Sequence, residues 1–272
     1  MSGLRGAVAF LTRVPAGRPP DHSGSDERGH SDDRDAVGGL DVAGTVPWFP
    51  VVGALVGVLV AAVYAGGRQL VAPLPAAAIA VAAGVIVTGA FHEDGLADTA
   101  DALGAWDPAE ARRILKDPTH GTYGVCAIVL SLVVRVAAVA SVSGSAAMAI
   151  LPAAHALARS AALLPLGTGP AVLDATGRGL GASYAAGIRP RHLVLAAGVG
   201  AGLATVGLGY WALPAAIASF TAALVVGWLG ARRVGAITGD ILGAAEQIAE
   251  MAVLILGAVV VAQGWAGLPW WR

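Results

Sequence analysis

The sequence predicts an all-α integral membrane protein, a bundle of about seven membrane-spanning helices. Of its 272 residues 56% are hydrophobic and 13% are charged, whereas a soluble domain carries roughly 25% charged residues. The mean hydropathy is +0.71, and the apolar residues fall in runs close to the ~20 residues that cross the hydrocarbon layer. We expect residues 1–272 to form a single membrane domain.

The elements follow in order from the N-terminus. Leu4 to Val14 predicts a short helix on the membrane surface. Residues 17–42 are rich in Asp, Arg, Gly, His and Ser, which is typical of a disordered hydrophilic segment. The predicted spans are 46–66, 70–91, 122–142, 146–166, 192–211, 213–231 and 247–267, with the turn around Pro214 dividing the fifth span from the sixth.

The distribution of basic residues predicts the orientation of the spans. With seven spans, the N-terminus and the loops 92–121, 167–191 and 232–246 share one side of the membrane. Those segments hold most of the 17 Lys and Arg residues, namely Arg5, Arg13, Arg18, Arg28, Arg34, Arg112, Arg113, Lys116, Arg178, Arg189, Arg191, Arg232 and Arg233. The positive-inside rule therefore predicts that this side is cytoplasmic.

Residues 91–101 place acidic side chains directly after an apolar run. Asp94, Asp98 and Asp101 are four and then three residues apart, so on a helix their carboxylates share one face. Like charges so placed repel and lose hydration near hydrocarbon, which a divalent cation would compensate. Cys126 is the only cysteine, so a carboxylate site for Mg²⁺ or Mn²⁺ is expected rather than a zinc site.

Further acidic residues are predicted on the same side of the membrane. Asp117 lies in the segment 116–124, and a third group lies in 238–250, with Glu246 and Glu250 one helical turn apart at the mouth of the last span. The predicted metal ligands are Asp94, Asp98, Asp101, Asp117, Asp240, Glu246 and Glu250.

Basic residues near these carboxylates predict phosphate binding. Arg112, Arg113 and Lys116 follow the first acidic group and are predicted to hold phosphate oxygens. Arg159, inside a span, is a candidate for binding an anionic substrate or, alternatively, an internal partner for a carboxylate. Carboxylate-bound metal with basic residues supports phosphoryl or phosphodiester transfer. For Asp107 and Glu110, beside Arg112 and Arg113, a purely structural role at a helix end is favoured.

Four motifs together resemble the cobalamin synthase (adenosylcobinamide-GDP ribazoletransferase) family. They are Phe91 to Asp101, Phe10 to Pro15, Lys116-Asp117 with Gly121 and Gly124, and Thr238-Gly239-Asp240 through Glu246 and Glu250. The chain departs from the family pattern at Glu93, where an apolar residue is usual, at Ala102, where glycine is usual, and at Thr176, where many members carry arginine.

The resemblance implies a multi-pass enzyme of the cytoplasmic (inner) membrane with its active site facing the cytoplasm. In that family a hydroxyl of α-ribazole, or of its 5′-phosphate, attacks adenosylcobinamide-GDP, giving adenosylcobalamin, or its 5′-phosphate, and GMP. Mg²⁺ is the implied cofactor, with Asp94 and Asp98 binding metal and Asp101 binding metal or serving as base. Membrane lipid and a homo-oligomer are the further expected partners, and no nucleic acid is expected.

Two rival functions remain open from the sequence. A membrane CDP-alcohol phosphotransferase runs a related displacement, but its motif requires Ala-Arg where this chain has Ala97-Asp98. A transporter would bury its carboxylates near the midplane in broken helices, whereas in this chain they are predicted at one surface.

Overall fold

The computed structural model describes residues 2–15, 42–168 and 188–265, and within them every regular element is a helix. The predicted all-α class is confirmed. The predicted hydrophilic segment 17–42 lies outside the described residues except for Val42.

The described residues form helices that we number in chain order. They are α1 (Ser2–Leu11), α2 (Val42–Thr45), α3 (Phe49–Gly67), α4 (Pro73–Thr88), α5 (Phe91–Leu103), α6 (Pro108–Ile114), α7 (Thr122–Ala140), α8 (Gly144–Ala161), α9 (Pro190–Leu208), α10 (Ala212–Val234) and α11 (Gly239–Ala262). Single 3₁₀ turns lie at Val46–Trp48, Leu164–Gly167 and Gly209–Trp211.

Several helical runs are long and apolar enough to cross a membrane, as a multi-pass membrane protein requires. The described residues contain five such runs, or six when α4 and α5, which meet at 90°, count together. One of the five, Pro190–Val234, has 45 residues and comprises α9 and α10. At ~1.5 Å per residue that run would reach about twice the hydrocarbon thickness if it were straight, but it breaks at Gly209, where φ is 58°. The total of seven spans and their orientation stay predictions.

Two predicted boundaries differ from the structure. The break between the fifth and sixth predicted spans lies at Gly209–Trp211 rather than at Pro214. The last helix begins at Gly239, eight residues before the predicted span at 247, because Thr238 caps its N-terminus by accepting a hydrogen bond from the backbone N–H of Ile241.

Helix α8 lies at the centre of the bundle and packs on α3, α9, α10 and α11. Its closest neighbour is α3, which presents Gly53 and Gly57 to it. A Cβ on either glycine would collide with the α8 backbone, at the carbonyl of His155 and of Leu151 respectively. The small residues four apart therefore allow these helices to approach closely, as is common inside membranes.

A sharp bend separates α4 from α5. Gly89 and Ala90 both adopt left-handed backbone conformations, with φ of 67° and 56°, and a left-handed alanine is strained. The end of α1 supports the bend, because the backbone N–H of Arg13 donates to the carbonyl of Val87 at 2.8 Å. The bend turns α5 across the end of the bundle instead of continuing the direction of α4.

Replacing Gly57 by alanine should separate α3 from α8. We expect the free energy of unfolding to fall by about 1–3 kcal/mol, the usual effect of overpacking a tight contact. Gly66, on the same helix, is the matched control, because a Cβ there would meet nothing within 4 Å. Thermal unfolding in detergent should show a lower midpoint for Gly57→Ala and no loss for Gly66→Ala; equal midpoints would contradict the packing described.

Candidate active site

Helix α5 crosses the N-terminal turn of α11 at a pair of glycines. A Cβ on Gly95 would lie 2.8 Å from the carbonyl oxygen of Asp240, and a Cβ on Gly243 would lie 3.3 Å from Cα of Gly95. This contact between backbones brings Asp240 within electrostatic range of Asp98 and Asp94. The first and third acidic groups of the sequence are thus adjacent, at one end of the bundle.

His120 lies between two of these carboxylates. Its Nε2 is 3.6 Å from Oδ1 of Asp94, and its Nδ1 is 3.2 Å from Oδ1 of Asp98. The Asp94 side chain is 64% exposed and that of Asp98 is 14% exposed, so the pair extends from solvent into the protein. We call Asp94, Asp98, His120 and Asp240 the acidic site. Among the residues that the structure describes, one imidazole does not balance three carboxylates, so the site is attractive to cations.

Asp101 has a different environment from Asp94 and Asp98. Its two carboxylate oxygens accept the backbone N–H groups of Gly121 at 2.7 Å and of Gly124 at 2.9 Å. It therefore caps the first turn of α7 and holds the loop that carries His120. A Cβ on either glycine would run into this carboxylate, which accounts for both glycines in the motif.

Asp117 makes only a local turn among the contacts described. Its Oδ1 accepts both the backbone N–H and the hydroxyl of Thr119. These hydrogen bonds favour the ionised form, so they lower the pKa of the fully exposed Asp117 carboxyl below its usual value. The residue shapes the loop before His120 rather than joining the acidic site.

Glu246 and Glu250 are fully buried inside the bundle. Arg159 Nη1 contacts Glu246 Oε1 at 2.5 Å and Glu250 Oε2 at 2.7 Å, while Arg135 Nε lies 3.1 Å from Glu250 Oε1. Arg135 Nη1 also donates to Glu93 at 2.7 Å. We call these five residues the buried ion cluster; none of their side chains is more than 6% exposed.

Neutral and titratable groups complete this cluster. Gln247 accepts hydrogen bonds from Ser131 and Arg135, and His155 Nδ1 is 2.8 Å from Glu250 Oε2. On the side facing α5, His92 Nδ1 is 3.6 Å from Glu246 Oε2. The cluster therefore joins α5, α7, α8 and α11 through charged side chains that are stable in the interior only because each has a partner.

The seven predicted metal ligands thus separate into distinct environments. Asp94, Asp98 and Asp240 meet at the acidic site, Asp101 and Asp117 hold backbone turns, and Glu246 and Glu250 bind arginines. The prediction that Glu246 and Glu250 lie at the mouth of a span is wrong, because α11 begins earlier and carries them two to three turns inward.

The predicted phosphate-binding residues also have distinct surroundings. Arg112 Nη1 donates to the carbonyl of Val234 at 2.6 Å and so holds α6 against the end of α10. Arg113 is 75% exposed, 4.0 Å from Glu110, and Lys116 is exposed. For Arg159, the structure agrees with the alternative of an internal carboxylate partner. Asp107 caps α6, as the structural interpretation expected.

Two members of these clusters were not predicted from the sequence. Glu93 stands out in the sequence only as a departure from the family pattern, yet it pairs with Arg135. For His120 the sequence suggests a phosphate contact or a structural role in the loop, whereas in the structure it contacts two of the acidic residues. A charged residue within an apolar segment is the signal that identifies Glu93, since a buried charge requires a partner.

The acidic site offers the donor atoms that a hard divalent cation prefers. Carboxylate oxygens are what Mg²⁺ prefers, and it retains several of its waters. Within residues 2–15, 42–168 and 188–265, no three His, Cys, Asp or Glu side chains are already arranged around a common metal position. The fit is therefore one of donor type and charge.

Known proteins match this chain over nearly its whole length. The family model described as Cobalamin-5-phosphate synthase matches residues 3–258. An adenosylcobinamide-GDP ribazoletransferase of Bradyrhizobium diazoefficiens is 36% identical over 267 residues, covering 95% of this chain and 94% of the relative. Proteins of the same name are 37% identical in Ralstonia nicotianae, over 91% of both chains, and 38% identical in Rhizobium etli, over 91% of this chain and 93% of the relative. No solved structure gives a significant match.

Replacing Arg135 by leucine should leave Glu93 without its arginine in the interior. Breaking a buried ion pair by removing one partner costs about 3–5 kcal/mol, so we expect a large loss in unfolding free energy. Arg113→Gln is the control, because an exposed pair contributes roughly 0–1 kcal/mol. Thermal unfolding of both variants in detergent measures this difference, and an Arg135→Leu protein as stable as Arg113→Gln would contradict the cluster.

Replacing Asp101 by alanine should loosen the start of α7. Loss of a helix cap costs about 0.5–2 kcal/mol, so the backbone amides of Gly121 and Gly124 should exchange with deuterium several-fold faster. Asp117→Ala is the control, since its carboxylate bonds Thr119 instead. Unchanged exchange at Gly121 and Gly124 in Asp101→Ala would rule out the capping role.

Proposed function

The chain belongs to the Cobalamin-5-phosphate synthase family, and we propose that it is an adenosylcobinamide-GDP ribazoletransferase. The observation that carries the proposal is the match over residues 3–258, which includes all three segments that form the acidic site. A hydroxyl of α-ribazole, or of its 5′-phosphate, attacks the phosphorus attached to cobinamide. The new P–O bond joins ribazole to cobinamide phosphate, the bond to the second phosphate breaks, and GMP leaves.

The acidic site is the place where this displacement would occur. Asp94, Asp98 and Asp240 are the residues that would hold Mg²⁺, supported by their oxygen donors and their unbalanced charge. The ion, when bound, neutralises phosphate oxygens in the transition state. Asp101, with both oxygens accepting backbone N–H groups, holds the loop rather than a metal or a proton.

His120 is the general base in this proposal. Its imidazole lies 3.2 Å from Asp98 and 3.6 Å from Asp94, and these carboxylates would stabilise the imidazolium formed when it takes the hydroxyl proton. The side chain is 34% exposed, so a substrate hydroxyl can approach it. This assignment replaces the expectation that Asp101 binds metal or serves as base.

The membrane setting belongs to the same proposal. The acidic site lies at the end of α11 that follows Arg232 and Arg233 on the preceding helix, and positive charge marks the cytoplasmic side. We propose that the protein lies in the cytoplasmic membrane with this site facing the cytoplasm. Contact with lipid and assembly into a homo-oligomer stay predictions.

The direct test is an assay of the purified protein in detergent or liposomes. Given adenosylcobinamide-GDP, α-ribazole 5′-phosphate and Mg²⁺, it should release GMP and corrinoid product in equal amounts, and chelation of the metal should stop both. Asp98→Asn should lower kcat by about 10²-fold or more, because metal and base positioning are both affected.

Asp117→Asn is the control for the assay, because Asp117 bonds a turn rather than the acidic site. It should retain activity within a few-fold of the wild type. A folded wild-type protein that forms no product would refute the proposed function. Activity that survives in Asp98→Asn would keep the reaction but remove it from the acidic site.

A further inference from the structure

Trp106 presents a highly exposed indole in the segment that follows α5, the helix that carries Asp94 and Asp98. Its relative exposure is 95%, the highest of the large hydrophobic side chains described. It follows α5 directly, three residues after Leu103. A tryptophan side chain is ordinarily packed over most of its surface, whereas this indole leaves most of its aromatic face accessible to a ligand.

The backbone that carries this indole is held firmly. The N–H of Trp106 donates to Glu110 Oε2 at 2.8 Å, and the preceding carbonyl, of Ala105, accepts from Arg233 Nη1 at 3.4 Å. Ala105 itself is buried, in an apolar cluster with Val234 and Ile237. The backbone at Trp106 is therefore anchored, and the indole turns only about its own side-chain bonds.

Charged side chains of both signs, Arg233, Arg113 and Glu110, lie near the backbone at Trp106. Arg233 reaches it from the last turn of α10, and Arg113 reaches it from α6 through Glu110. Arg113 is 75% exposed, whereas Glu110, its partner, is 32% exposed. An exposed indole and two arginines in contact with the same segment offer groups that suit a nucleotide, since a base can stack on the ring and phosphates can bind the arginines.

The spacing along α5 suits such a ligand. Asp98 lies five residues before Leu103, which at ~1.5 Å per residue is about 8 Å along the helix axis. Trp106 follows three residues beyond that end, so a nucleotide that reaches both would lie along α5 from the acidic site toward Trp106.

We propose that Trp106, with Arg113 and Arg233, binds the guanine nucleotide end of the substrate, with the purine stacked on the indole. The proposal rests on the proposed function, because the guanosine nucleotide is the leaving group of that reaction. It adds a binding site, formed by the 104–113 segment and the end of α10, to the acidic site where the bond is broken.

The experiment measures binding of GMP and of pyrophosphate to the full-length protein in detergent, by calorimetry and without turnover. For Trp106→Leu we expect the Kd of GMP to rise about tenfold, the effect of losing one base–aromatic stack, with the Kd of pyrophosphate unchanged. Trp106→Phe should restore much of the GMP affinity. Arg233→Gln should weaken both ligands.

Trp265→Leu is the matched control, because Trp265 is 54% exposed and lies beyond the opposite end of α11. In the transferase assay Trp106→Leu should raise KM for adenosylcobinamide-GDP with kcat within about twofold, as expected for an interaction lost equally from ground and transition states. A merely structural defect would lower kcat as well.

The results of these measurements distinguish the nucleotide site at Trp106 from the transferase reaction itself. GMP binding that depends on Trp106 in a protein that forms no product supports the nucleotide site and refutes the reaction. An active enzyme whose GMP affinity is the same in Trp106→Leu and wild type overturns the nucleotide site. If that variant instead loses affinity for anionic liposomes, Trp106 is an interfacial anchor and the nucleotide site is again overturned.

Discussion

The placement of α5, the helix that carries Asp94 and Asp98, depends on two buried arginines. Arg135 binds Glu93 on α5 and Glu250 on α11, and Arg159 binds Glu246 and Glu250 from the central helix. In the interior these charges are tolerable only as a complete set. Since Glu93 immediately precedes Asp94, its ion pair helps to fix the rotation of α5, and Gly95 of that helix packs against the backbone of Asp240.

Residues of one chemical type perform several tasks in this protein because their surroundings differ. Carboxylates enclosed with arginines hold helices together, and a carboxylate that accepts two backbone N–H groups begins a helix. Those at the acidic site repel one another, and in the part of the chain that the structure describes His120 is the basic side chain between two of them. Uncompensated negative charge attracts a cation, and the cation can in turn bind a phosphate. Chemistry is therefore expected at the acidic site.

Local pattern predicted much of this arrangement, and long-range contact determined the rest. Hydrophobic runs predicted the helices, and the spacing of Asp94 and Asp98 predicted their shared face. The left-handed Ala90 carries no local signal, so the bend before α5 was not foreseen. Glu246 was predicted as a metal ligand because no local pattern reveals its partner. That partner, Arg159, is distant in the sequence, and only folding brings the two together. The packing of helices, rather than residue type, decides which carboxylates face solvent.

We propose that Asp94, Asp98 and Asp240 form the cation site while Asp101 supports the loop that carries His120. Electron paramagnetic resonance of Mn²⁺, a substitute for Mg²⁺, measures this directly when free and bound ion are counted in purified protein. We expect a bound ion in the wild type, loss of binding in Asp98→Asn, and binding retained in Asp101→Asn. Binding that survives in Asp98→Asn, or that is lost equally in Asp101→Asn, would contradict the claim.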